Sequence, residues 1–172
     1  NLPSNVTYWV CAYANNQHGL KSDITSDPTD SAFFKAMQLC DGVLVVLDPG
    51  AVVFTRIWCS FEQATVVKGK NLKLDFGTVA DGQAQLLTEG TVHENEAVSI
   101  KAHREHGFPL ELMEKGYELD ITKADASRDE DKQHILNSIA GAPLDADCDF
   151  THAEYTRVND DLRGMLAVHA AR

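Results

Sequence analysis

The sequence has no long apolar run, no recognisable targeting segment and no initiator methionine. Apolar stretches such as Gly42 to Leu47 are far shorter than the ~20 residues that a transmembrane helix needs. A basic segment followed by an apolar one, which marks a signal peptide, is not visible at the amino terminus. We therefore do not expect a secreted protein, and the cytoplasm or an organelle such as the plastid is left open. A chain that opens on Asn1-Leu2-Pro3 is expected to be a processed product or a piece of a longer protein.

Basic residues are also scarce: 15 Lys and Arg stand against 26 Asp and Glu, which gives a formal net charge of −11. Such a charge repels nucleic acids and anionic lipids. Lys68 and Lys70 lie close together, but one small pair is typical of a solvated helix end. We expect protein partners, or the remainder of a longer chain, and no nucleic-acid partner.

Cysteine and histidine do not form a recognisable metal motif. None of the four cysteines belongs to a C-x-x-C pair, and we expect them to be reduced and buried. His103 and His106 have the i, i+3 spacing of a helical metal pair, with His93 ten residues earlier. Because no third ligand follows at a fixed spacing, solvated histidines are favoured, and no metal or cofactor is expected.

Apolar patterning predicts an α/β domain with a parallel sheet. Val43 to Leu47 is continuously apolar, which is typical of a strand covered on both faces. It ends at Asp48-Pro49-Gly50, and Arg56 to Lys68 has the pattern of a helix. A strand, a short loop and a helix in this order form the repeating unit of a doubly wound sheet.

The chain is expected to be one domain, residues 1–172, with the core sheet in 1–90 and a more helical half in 91–172. The other strands are predicted at Thr7–Ala14, Leu72–Val79, Gln85–Thr88 and Tyr117–Ile121. The other helices are predicted at Ala32–Cys40, Glu94–Glu105, Pro109–Lys115, Asp129–Ala140 and His152–Ala170.

The segment Trp58-Cys59-Ser60-Phe61-Glu62, which follows the apolar strand, resembles the Trp-Cys-x-x-Glu element of TIR domains. The whole chain is similar to a TIR-like family found in large proteins of unicellular algae. The resemblance extends to Tyr8–His18, Cys40–Asp48, Phe108-Pro109, Ala124–Ser127, Ile135–Ile139 and Tyr155–Asn159. It implies a TIR/flavodoxin-like domain of three layers.

The resemblance also implies candidate site residues. In TIR domains that cleave NAD, the glutamate of this element is the catalytic carboxylate, and the matching position is Glu62. A carboxylate beside the nicotinamide ribose stabilises the cationic character that develops as the glycosidic bond breaks. Trp58 is expected to be a core or pocket-wall residue, and Arg56 a cation at the helix start that pairs with Asp48. NAD would then be a substrate.

One departure from the family pattern concerns the first strand. A complete TIR domain begins with a strand and loop that precede the region present here, and that strand lies between those matching Thr7–Ala14 and Val43–Leu47. Three functions stay open: an interaction or assembly module, an NAD nucleoside hydrolase that uses Glu62, and an accessory subunit of an organellar complex. The first is favoured, since the missing loop would supply much of a nucleotide site.

Overall fold

The computed structural model describes residues 6–10, 14, 26–69, 72–80, 82–87 and 109–170. In chain order, the strands and α-helices are α1 (Ala32–Met37), β1 (Gly42–Leu47), α2 (Ile57–Gly69), β2 (Lys73–Ala80), β3 (Gln83–Leu86), α3 (Leu110–Tyr117), α4 (Asp129–Ala140) and α5 (Ala153–Ala170). Short 3-10 turns occupy Pro28–Asp30, Val52–Thr55 and Ile121–Lys123. The described strands therefore all lie in the first half, and helices make up most of the second.

The three described strands form one mixed sheet in the order β1-β2-β3. β1 pairs with β2 in parallel, with Leu44 opposite Asp75 and Val46 opposite Gly77. β3 pairs with β2 in the antiparallel sense, so the expectation of a purely parallel sheet is wrong at this strand. The mixed α/β class is confirmed, and β1 lies at the edge of the described sheet.

The prediction that β1 is covered on both faces is wrong. Its burial alternates: Val45 and Leu47 are buried, whereas Leu44 and Val46 are 57% and 65% exposed. Successive side chains of a strand point to opposite sides of the sheet, so one face of β1 meets the core and the other meets solvent. Composition alone suggested a strand between two layers, but the described residues cover only one side.

α2 packs at the centre of the helical layer. It contacts α4, α5, β2 and the turn before it, and α1 packs on it through Phe33 and Phe34. No residue from Ile57 to Val67 is exposed, and the buried ones cover more than half of the helix circumference: Ile57, Ser60, Phe61, Gln63, Ala64 and Val66. A helix that is covered on every side belongs to the interior of a fold.

The carboxyl-terminal helices were predicted well, and one strand was not. α3, α4 and α5 lie within a few residues of their predicted positions, and Gly141 ends α4 at φ +74°, in the left-handed region that glycine tolerates. The strand predicted at Tyr117–Ile121 does not form, because Tyr117 still belongs to α3 and Ile121 begins a 3-10 turn. The Asn159 side chain accepts the backbone N–H of Ile121 and fixes this turn on α5.

The strand predicted at Thr7–Ala14 is contradicted wherever the structure describes it. Residues 7–10 have no regular structure, and Ala14 is helical, with its N–H bonded to the Val10 carbonyl. An i to i+4 hydrogen bond is a helical contact and not a strand contact. The helix predicted at Glu94–Glu105 lies outside the described residues.

Two substitutions in neighbouring positions of β1 distinguish its two faces. Val45 is 6% exposed and Val46 is 65% exposed. We expect Val45→Asp to lower the free energy of unfolding by about 3 kcal/mol or more, because it places an unpaired charge in the core. Val46→Asp should change it by less than about 1 kcal/mol. Urea unfolding monitored by circular dichroism measures both, and equal losses would contradict the assigned faces.

Candidate functional site

The candidate site is built on the first two turns of α2. The start of this helix is fixed by a short parallel bridge: the Ile57 N–H donates to the Asp125 carbonyl at 2.9 Å, and the Asp125 N–H donates to the Thr55 carbonyl at 2.7 Å. Ile57 is 1% exposed. The bridge therefore locks the position from which Trp58 and Glu62 project.

Trp58 forms part of the packing between α1, α2 and α4. Its ring meets that of Phe33 edge to face, with centroids 5.1 Å apart, and its indole N–H donates to the Asp131 carboxylate at 3.4 Å. Asp131 is itself buried, and an Arg128 guanidinium nitrogen lies 4.0 Å from its other oxygen. Trp58 is half-buried, as expected of a core or wall residue.

Glu62 lies one turn after Trp58 on the same face of the helix. Its side chain is half-buried, and desolvation by burial raises its pKa from 4.5 to about 7, although the nearby positive charge of Arg56 acts in the opposite direction. Among the described residues, no Lys, Arg or His nitrogen lies within 4 Å of its carboxylate. Glu62 is therefore neither a solvated surface residue nor a member of a close ion pair.

Asp48 and Arg56 do not form the expected pair. The Asp48 carboxylate accepts the Val52 N–H at 2.8 Å, at the carboxyl end of β1. Within this same turn, Ala51 is buried and adopts φ +49°, a left-handed conformation that costs a non-glycine residue energy. Arg56 is exposed, and what it contributes to the site is its charge near Glu62. Arg56, Trp58 and Glu62 thus lie at the start of α2, whereas Asp48 lies at the end of β1 and does not form the expected pair with Arg56.

Two grooves lie elsewhere on the described surface, and Glu62, Trp58, Asp48 and Arg56 line neither of them. The first, of about 540 Å³, lies among α1, α2 and α4 and contains Lys68. The second, of about 440 Å³, lies between α3 and α5. No pattern in the sequence predicted the first groove, because the residues that line it come from segments far apart in the chain.

Several buried polar atoms were not predicted from the sequence. Gln63 is 1% exposed, and neither its amide nitrogen nor its amide oxygen has a hydrogen-bond partner in the structure. The Tyr155 hydroxyl is in the same situation, and burial raises the pKa of this phenol to about 12. Cys40 was expected to be buried but is exposed, since it lies in the loop after α1.

Within the described ranges, no three His, Cys, Asp or Glu side chains are grouped so as to hold a metal ion. His93, His103 and His106 lie outside those ranges. The described helices also include none with the length and hydropathy needed to cross a membrane. Comparison with protein-family models, with curated proteins and with solved structures finds no match to this chain.

The burial of Glu62 predicts a pH dependence of stability. Its pKa in the folded protein, about 7, exceeds the ordinary value of 4.5. The stability associated with the protonated carboxyl is therefore fully present below about pH 4.5 and is lost as the pH rises through about 7. As the pH rises from 5 to 8, we expect the free energy of unfolding of Glu62→Gln to increase by about 2 kcal/mol relative to that of the wild type.

Urea unfolding at a series of pH values measures this difference. Glu111→Gln is the matched control, because Glu111 is an exposed glutamate on α3. Parallel curves for the wild type and Glu62→Gln would show that the carboxylate is solvated.

Proposed function

We propose that this chain is a TIR-like interaction module, part of a larger protein or complex, and that a strand supplied from outside the described fold joins the outer edge of β1. The observation that carries this proposal is the position of β1: a strongly apolar strand at the edge of the sheet, with a neighbour on one side only among the described residues.

Within the described residues, the edge of β1 has no charged residue, proline or bulge of the kind that usually protects an edge strand. The sequence Gly-Val-Leu-Val-Val-Leu contains no proline and no charged residue, and its pairing with β2 is regular along its whole length. An apolar edge of this kind exposes backbone N–H and C=O groups that readily pair with another strand. Such an edge is better explained as an interface than as a permanent outer surface.

The exposed face of the sheet supports the same proposal. Register places Leu44 and Val46 of β1 on the same side as Val79 of β2 and Leu86 of β3. These four side chains are 46% to 65% exposed. The same register places Lys73 and Asp75 of β2 on this side too, opposite Gly42 and Leu44, so the face is apolar mainly toward the carboxyl end of β1. Scattered apolar residues are normal on a protein surface, but several exposed apolar side chains on one face of a sheet are typical of an interaction site.

The TIR resemblance suggests which strand would pair with the open edge of β1. In that arrangement, the first strand lies beside the one that matches β1, and the described residues include no strand there. We propose that a strand of a partner chain fills the position, so that the domain is completed by assembly.

The test compares two lysine substitutions at exposed apolar residues. Val46→Lys places a charge on the proposed interface, and Leu39→Lys, at a residue 90% exposed outside the sheet, is the matched control. We expect the wild type and Leu39→Lys to sediment as an assembly, alone or with a co-purified chain, and Val46→Lys to sediment as a monomer. A monomeric wild type with no associated chain, or an assembly that Val46→Lys does not affect, would contradict the proposal.

A second candidate function is NAD hydrolysis with Glu62 as the catalytic carboxylate. It is supported by a half-buried carboxylate with no close ion pair among the described residues. In this reaction the bond between nicotinamide and ribose breaks, water adds to the ribose carbon, and nicotinamide leaves. The ionised carboxylate would stabilise the positive charge that develops on the ribose.

Nicotinamide release from NAD, measured by chromatography with the full-length protein, tests this function. We expect activity to rise with pH through about 7, as Glu62 loses its proton. Glu62→Gln should lower the rate at least ~100-fold, since it removes the charge and keeps the shape. Glu111→Gln should leave the rate unchanged. Equal rates for the wild type and Glu62→Gln, or no release by the wild type, would exclude the hydrolase.

A further inference from the structure

The groove among α1, α2 and α4 combines an apolar floor with one cation. Its volume of about 540 Å³ lies within the range of small-molecule sites. Most of its apolar lining comes from buried or half-buried side chains: Phe34, Met37, Phe61, Ala64, Leu72 and Ile139. Among the described residues that line it, Lys68 is the only Lys or Arg, and none is Asp or Glu. The charge of the described lining is therefore positive, whereas the net charge of the whole chain is −11.

The Lys68 ammonium has one direct hydrogen-bond acceptor among the described residues. It donates to the carbonyl oxygen of Ile139 near the end of α4, and the Glu154 carboxylate lies 3.8 Å away. At that distance Glu154 attracts the ammonium but does not accept a direct hydrogen bond. Since an ammonium has three protons, two remain for another acceptor.

We propose that this groove binds a small molecule with an apolar body and a single anionic head, such as an aliphatic or aromatic carboxylic acid. The apolar body would lie on Phe34, Phe61 and Leu72, and the head would accept protons from Lys68. A hydrogen bond between ions is stronger than one between neutral groups, so Lys68 would set both affinity and orientation. The site shares no residue with the exposed sheet face and is independent of the proposed assembly function.

Glu154 allows a test in which two substitutions should change the affinity for an anion in opposite directions. It competes with a bound anion for Lys68, although its stronger partner is Arg157, at 2.8 Å. Removing the Lys68 charge should weaken anion binding, and removing the Glu154 charge should strengthen it. A purely structural role for either residue would not produce changes in opposite directions.

Isothermal titration with decanoate, kept below its micelle concentration, measures these effects. We expect saturable binding that Lys68→Gln weakens about tenfold and Glu154→Gln strengthens about threefold. Decyltrimethylammonium, which has the same chain length and a cationic head, should bind at least tenfold more weakly than decanoate. Naphthoate distinguishes aromatic from aliphatic acids: whichever acid binds more tightly defines the subclass.

Cys40 provides a reporter within the groove itself. It lines the groove and is exposed, so alkylation with iodoacetamide, followed by peptide mapping, reads its accessibility. Decanoate should slow this alkylation. Gln38→Glu, in the groove, should weaken binding, whereas Gln83→Glu, at an exposed residue on β3, and Val46→Lys should not.

Three results would overturn the proposal. The first is equal affinity for decanoate and decyltrimethylammonium, which indicates contact with apolar surface alone. The second is decanoate binding that Val46→Lys abolishes and Lys68→Gln leaves unchanged, which places the acid on the sheet face. The third is the absence of saturable binding by either acid to the folded wild type.

Discussion

The burial of α2 on every side is the constraint on which the rest of the structure depends. Ile57, Phe61 and Ala64 on one face and Val66 on the opposite face are each 3% exposed or less. Such a helix is stable only if separate elements cover each side, and here the sheet, α1, α4 and α5 do so. The same enclosure removes water from Glu62, which is the physical origin of its raised pKa.

Because α2 and its neighbours lie against one face of the sheet, the other face is left bare among the described residues. Val43, Val45 and Leu47 turn toward the core, while Leu44 and Val46 turn away from it. A stable isolated domain would be expected to carry polar residues at those outward positions, as antiparallel sheets with one wet face do. Their apolar character is the reason for proposing that a partner covers this face.

The sequence predicted elements whose signal is local, and it failed where distant residues decide. α2 and β2 lie within one residue of their predicted bounds, and Gly69 marks the end of α2. A continuous apolar run, in contrast, does not distinguish a strand whose second face is covered by its own chain from one whose second face is covered by another chain. The position of Glu62 could be predicted from the Trp-Cys-x-x-Glu element, but its burial depends on how α2 packs against elements distant in the chain, such as α4, whose Asp131 accepts the indole N–H of Trp58, 73 residues away.

The direction of an added strand decides whether assembly and catalysis are separate proposals. The carboxyl ends of parallel strands lie at the same end of a sheet, where ligands of α/β proteins bind. A strand added parallel to β1 would therefore place its following loop beside Asp48 and the strained turn at Ala51, next to the start of α2. An antiparallel strand would place its following loop at the opposite end, near Gly42. Assembly would then complete a nucleotide site in the first case and leave Glu62 without one in the second.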